Sequence, residues 1–152
     1  MNGRPGLEIV VVEDDPSDVL LLMREFRKHN VANNVVLLED GARALDYLLP
    51  EGARPIPSPS RVVILDLKLP KVNGVEVLRR MKTDERTRDV PVVVLTSSQE
   101  ERDVRDAREA GADGYLVKPL KFDVFARSIP NPHRGWLLAN GVALGGEVKD
   151  TV

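Results

Sequence analysis

Short apolar runs alternate with helix-length amphipathic stretches along most of the chain. Leu7–Val12 (LEIVVV) is continuous and largely β-branched, the pattern of a strand buried on both faces. Ser17–His29 then spaces Val19, Leu22, Met23 and Phe26 on one helical face. Pro16 suits the first turn of that helix, and Asp14 or Asp15 its cap. Asn34–Leu38 predicts a second strand and Gly41–Leu49 a second helix. Pro50, Pro55, Pro57 and Pro59 make Pro50–Ser60 a loop. Arg61–Leu65 predicts the third strand, and Asn73–Lys82 a helix with Val75, Val77, Leu78 and Met81 apolar. Val90–Thr96 follows as a strand, with Pro91 at its tolerant start, then a charged helix over Ser98–Gly111 stopped by its glycine. Gly114–Val117 is the fifth strand and Phe122–Ile129 the fifth helix, ended by Pro130 and Pro132. Strict β-α alternation with apolar strands predicts an α/β fold, a parallel sheet covered on both faces with right-handed crossovers.

Composition narrows the classes. A chain of 152 residues suits one domain with a full core. The net charge of −2 implies no basic face, so nucleic acid is not the expected partner. Without cysteine there are no disulfides, thiolate nucleophiles or Cys-ligated metals, which fits a cytoplasmic protein. No apolar run approaches the roughly 20 residues of a membrane span, and the MNGRPG start lacks a signal-peptide apolar region.

Ligands of open parallel sheets bind at the carboxyl ends of the strands. Here those ends carry Glu13, Asp14 and Asp15 after strand 1, Asp66 after strand 3, Thr96 and Ser97 after strand 4, and Lys118–Pro119 after strand 5. Singly, each has a simpler reading: Asp66 a turn residue, Asp14 and Asp15 helix caps, Thr96 and Ser97 caps of the fourth helix, Lys118 a solvated lysine. Together they bring acids, a hydroxyl and an ammonium to one spot if the strands are neighbours. Oxygen-only ligands select a hard cation, chiefly Mg2+. A carboxylate beside such an ion can attack phosphorus and form an acyl phosphate, with lysine and hydroxyl on the remaining phosphoryl oxygens. His29 and His133 read as surface residues, and the QEERDVRDAREA run as a solvated helix face.

The motifs VVVEDDP, VVILDLKLPKVNG, VVVLTSS and GADGYLVKP resemble those of two-component response regulator receiver domains of the chemotaxis type. The resemblance covers Leu7 to Ile129. It implies a flavodoxin-like (βα)5 fold of strand order 2-1-3-4-5, with residues 1–129 as receiver domain and 130–152 as a C-terminal extension, an apolar segment and then a flexible tail. It implies Asp66 as phosphoacceptor from a sensor histidine kinase. Glu13, Asp14, Asp66 and the backbone carbonyl of Lys68 would be the Mg2+ ligands. Thr96 and Lys118 would hold the phosphoryl group, Tyr115 would be the switch aromatic, and the Lys118–Pro119 bond would be cis. The protein would then be a signalling phosphoacceptor with only self-catalysed phosphotransfer and dephosphorylation, switching its helix 4–strand 5–helix 5 surface.

The EDDPSDV start, the proline-rich loop, LKLPKVNGVEVL and FDVF with a later Trp-Leu look most like the single-domain regulators paired with bacterial and cyanobacterial phytochrome kinases. That resemblance implies a bacteriophytochrome partner and a homodimer through helix 4–strand 5–helix 5 and the C-terminal segment. PNPHRG before Trp136 departs from an unbroken fifth helix, and apolar Trp136–Leu144 favours a dimer contact or packing on the domain. Two rivals differ in class. A Mg2+-dependent aspartyl-phosphate phosphatase needs a second acid two residues after the nucleophile, where Lys68 stands. A phosphorylation-independent interaction domain would have no use for the complete site.

Overall fold

A computed structural model of the chain describes residues 8–52, 61–128, 138–139 and 142–143. Most of the proline-rich loop, His133 and Trp136 lie outside the described residues. Five β-α units follow in order: β1 (Glu8–Val12), α1 (Pro16–Lys28), β2 (Val35–Leu38), α2 (Gly41–Leu48), β3 (Arg61–Leu65), α3 (Gly74–Thr83), β4 (Val92–Thr96), α4 (Glu101–Glu109), β5 (Gly114–Val117) and α5 (Phe122–Ser128). The strands are parallel in the order β2-β1-β3-β4-β5, the flavodoxin-like arrangement expected.

Alternation along the strands divides the core. Ile9 and Val11, Val62 and Ile64, and Val93 and Leu95 pack with Leu22 and Phe26 of α1 and Phe125 of α5. Val10 and Val12, Val63 and Leu65, and Val92 and Val94 pack with Ala44 and Leu48 of α2, Leu78 and Met81 of α3 and Ala107 of α4. Burial on both faces accounts for strands that read as unbroken apolar runs. The helices that follow β1, β2 and β3 start on side-chain caps. Asp15 accepts from the Ser17 N–H at 2.8 Å, Asp40 from Arg43 at 2.8 Å and Asn73 from Glu76 at 3.0 Å.

Element ends differ from the sequence reading for local reasons. β4 starts at Val92, because the Val90 N–H closes a turn on the Thr87 carbonyl and Pro91 has no N–H to pair; its carbonyl accepts from Val63 at 2.9 Å. α4 starts at Glu101, because Ser98 turns its hydroxyl to the Asp103 carboxylate, while the Glu100 N–H donates back to Ser98 Oγ at 3.3 Å. Thr96 and Ser97 therefore do not cap it. Gly111, at φ +104°, ends that helical stretch. His29 is no plain surface residue: it pairs with Glu25 at 3.2 Å and stacks on Phe122 with ring centres 4.8 Å apart. In the C-terminal extension, β6 (Leu138–Ala139) and β7 (Val142–Ala143) pair antiparallel. Asn140-Gly141 between them is a hairpin signal that the apolar reading of this segment passed over.

One glycine positions the functional end directly. A Cβ on Gly74 would lie 2.3 Å from the Asp66 carbonyl oxygen and 2.6 Å from Leu67 Cα, both backbone atoms. Gly74→Ala is expected to push the β3–α3 loop outward and destabilise the fold by about 1–3 kcal/mol, the usual range for overpacking, read as a drop in the thermal melting midpoint. At the far end of α3, Asp84 accepts from the Arg86 guanidinium at 3.0 Å and the Arg86 N–H at 2.9 Å, which hold its carboxyl down to about 2. A depressed carboxyl contributes stability that is complete above its ordinary 3.8 and is lost as pH falls towards 2. The carboxyl carbon resonance of Asp84 should titrate near 2, and Arg86→Gln should return it towards 3.8.

Candidate functional site

The site is built one residue past the apolar strands. Glu13 and Asp66 continue the alternation of Ile9 and Val11, and of Val62 and Ile64, towards the α1 and α5 side. Backbone bonds fix both: Glu13 N–H donates to Leu38 at 3.0 Å and Asp66 N–H to Val12 at 3.1 Å. Carboxylate oxygens of Glu13, Asp14 and Asp66 all lie within 4.8 Å of one another; Glu13 and Asp66 are buried and Asp14 is exposed. Asp15, one place further, is the α1 cap and donates its N–H to Glu13 Oε2 at 3.1 Å.

Lys118 reaches this cluster from the end of β5, where its N–H donates to the Thr96 carbonyl at 2.9 Å. Its side chain is only 14% exposed and no solvated lysine. The ammonium bonds to Glu13 Oε1 at 2.8 Å, Asp66 Oδ2 at 3.0 Å and Asp18 Oδ2 at 2.6 Å. Burial alone would disfavour its charge, but the hydrogen bonds from Asp18, Glu13 and Asp66 outweigh that and hold its pKa well above the ordinary lysine value. Burial pushes the Glu13 carboxyl up, against the opposing bond from Lys118. The Lys118–Pro119 peptide is cis.

Thr96, 1% exposed, stands at the end of β4, where its Oγ1 accepts from the Ser98 N–H at 3.4 Å. Tyr115 is half-buried and donates its hydroxyl to the Ser98 carbonyl at 3.0 Å. Burial, and then the Asp103 carboxylate, raise its phenol above the usual value. Lys68 is exposed on the β3–α3 loop, and its N–H points back to Asp66 Oδ1 at 3.3 Å. The structure therefore brings Glu13, Asp14, Asp66, Thr96 and Lys118 to one end of the sheet, with Tyr115 linked to the β4–α4 loop beside them.

Asp18 was not among the residues singled out from the sequence. It sits in the first turn of α1, three places after its cap, where an acid is unremarkable in sequence because it suits the helix dipole. Only the folded chain, in which the first turn of α1 meets the residue that follows β5, shows that it faces Lys118.

The donor set is suited to a hard divalent cation. It offers only oxygens from three carboxylates, two of them buried, with no imidazole or thiolate in the group. A bound cation would also relieve repulsion that one ammonium cannot cancel.

Comparison with known proteins agrees with this geometry. The family model described as response regulator receiver domain matches residues 9–129. A probable methanogenesis regulatory protein, FilR2 of Methanothrix harundinacea, is 44% identical over 131 residues, 85% of this chain and 83% of the relative. Response regulator Rcp1 of Synechocystis is 30% identical over 135 residues, 89% of this chain and 92% of the relative. The crystal structure of a Mn2+-bound form of response regulator Rcp1 superposes with TM-score 0.66 at 33% identity over 80% of this chain and 88% of that one. The structure of bacteriophytochrome response regulator AtBRR superposes with TM-score 0.75 at 43% identity, covering 90% of this chain and 99% of the other. With the 2-1-3-4-5 sheet and the acids gathered at its carboxyl end, these matches establish that the chain belongs to the response regulator receiver family.

Proposed function

We propose that this receiver takes a phosphoryl group onto Asp66 from a phosphohistidine of a sensor histidine kinase, with Mg2+ held by Glu13, Asp14, Asp66 and the Lys68 carbonyl. The observation that carries the reading is the carboxylate cluster of Glu13, Asp14 and Asp66 with the Lys118 ammonium bonded into it. An Asp66 carboxylate oxygen attacks phosphorus. The P–N bond to imidazole breaks, and the imidazole leaves with the electron pair and takes up a proton. Bound Mg2+ supplies charge neutralisation and orientation for the phosphoryl oxygens. Lys118 gives the transferred group a charge-assisted hydrogen bond, and the Thr96 hydroxyl a second one. The Mn2+-bound form of the relative Rcp1 supports binding of a divalent ion. Lys68 occupies the place where a phosphatase would need its general acid, which argues against steady turnover of phosphomonoesters.

The new phosphoryl charge of roughly −1.5 to −2 draws Thr96 towards it. Thr96 and Tyr115 share Ser98 as a partner, so movement of the β4–α4 loop reaches the α4–β5–α5 surface. Val117 and Val124, 40% and 37% exposed, leave apolar area on β5 and α5 for a second copy of the chain. Phosphorylation then acts by favouring the form with the better-matched partner surface. The likeness to a bacteriophytochrome response regulator supports a phytochrome-type kinase as donor, and hence a cytoplasmic setting.

Asp66→Asn should reduce labelling by a radiolabelled cognate kinase to background while leaving the melting midpoint within a few degrees; full labelling would contradict the assignment. Mg2+ binding should weaken as pH falls, because burial lifts the Glu13 carboxyl above its ordinary 4.5 and a proton then competes for it at higher pH than for an exposed acid. In calorimetric titrations from pH 8 downward, Glu13→Gln should flatten that loss.

A further inference from the structure

We infer that Asp18 is a positioning residue for Lys118: a fourth carboxylate, outside the metal cluster, that anchors the ammonium from α1 and keeps it where a phosphoryl oxygen must meet it. The inference rests on the phosphoacceptor reading of Asp66 and deepens it.

An ammonium has three hydrogens to donate, and Lys118 uses them on Glu13, Asp18 and Asp66. The three partners differ in what phosphorylation does to them. Asp66 gives up its carboxylate charge when an oxygen becomes the acyl-phosphate bridge. Glu13 belongs to the carboxylate group suited to the cation. Asp18 is outside that group, so its full charge remains available to Lys118 before and after transfer. Its contact, at 2.6 Å, is also the shortest of the three.

Packing does not fix the ammonium in its place. The Lys118 side chain borders a cavity of 450 Å3 between α1 and the β5–α5 junction, lined also by Leu21, Leu22, Glu25 and Leu120. A flexible four-carbon stem beside such a space swings unless something holds its tip. Asp18 is itself well placed to hold it, because α1 is tied to the same junction seven residues on. There Glu25 Oε2 accepts from the Phe122 N–H at 2.9 Å, and His29 stacks on the Phe122 ring. Asp18 and Glu25 lie two turns apart on one face of α1, so the two bonds fix the helix and the junction at both ends. Lys118 can then exchange its bond to Asp66 for one to a phosphoryl oxygen without the ammonium moving.

The test is a cycle in the full chain with Mg2+, using acetyl phosphate as the small phosphodonor and following the phosphorylation rate. Asp18→Asn keeps the side chain's size and removes its charge. It should slow phosphorylation roughly tenfold, the scale of one charge-assisted hydrogen bond, and Asp18→Glu should restore most of the rate. In a Lys118→Ala background, Asp18→Asn should have no further effect, because its action runs through the lysine. A rate for Asp18→Asn at or above wild type, or an equal loss with and without Lys118, overturns the inference. The Lys118 ammonium resonance in 15N NMR gives a readout independent of phosphorylation. Asp18→Asn should speed its hydrogen exchange by an order of magnitude or so, and an unchanged exchange rate also overturns the inference. Wild-type protein that takes no label from acetyl phosphate would count against the phosphoacceptor reading of Asp66, while the ammonium exchange still decides the role of Asp18.

Discussion

The ion pairs of a partly buried lysine with the acids around it hold this site together. Two carboxylates about 4 Å apart near a protein surface repel by roughly 4 kcal/mol. Glu13 and Asp66 are both nearly excluded from water, with Asp14 beside them, and such a group is unstable without opposite charge. Lys118 supplies part of that charge by lying between them, and its own charge is stabilised in return. One ammonium against four carboxylates leaves the site short of positive charge, a deficit that suits a divalent cation.

The sheet makes this arrangement rigid. β1 and β3 are paired residue by residue from Glu8 with Arg61 to Val12 with Leu65, so Glu13 and Asp66 leave adjacent strands at the same level. The strands are apolar on both faces and cannot slip without exposing core. The far end of the same pair is fastened separately: the Arg61 guanidinium bonds Glu8 at 2.8 Å and lies 5.1 Å above the Tyr47 ring, whose hydroxyl also donates to Glu8 at 2.8 Å. Acids held this firmly have little freedom left to lose on binding a cation or a phosphoryl group.

Much of this was legible in the sequence. Unbroken β-branched runs gave the parallel sheet, and the acids, hydroxyl and lysine just after them marked its functional end, because strand ends are visible as changes of composition. Asp18 was not legible, since nothing in its surroundings distinguishes it from an ordinary first-turn acid; its meaning comes from the contact of that first turn with Lys118, just past β5. The partial burial of Lys118 was hidden for the same reason. The start of α4 was misplaced because Ser98, a residue that favours turns, spends its hydroxyl on Asp103 instead of capping the helix. The ladder between Leu138–Ala139 and Val142–Ala143 was signalled by Asn140-Gly141, but the apolar content of the segment drew the reading towards a docking surface.

Asp66, among several neighbouring acids, is proposed as the one that reacts. Borohydride reduction of the phosphorylated full chain, followed by peptide mass mapping, converts an acyl phosphate to the corresponding alcohol and so marks the residue that carried it. Position 66 alone should become homoserine, and only when Mg2+ and a phosphodonor are both present. Reduction at Asp14, Asp15 or Asp18, or at no residue while phosphoryl group is retained elsewhere on the chain, would contradict it.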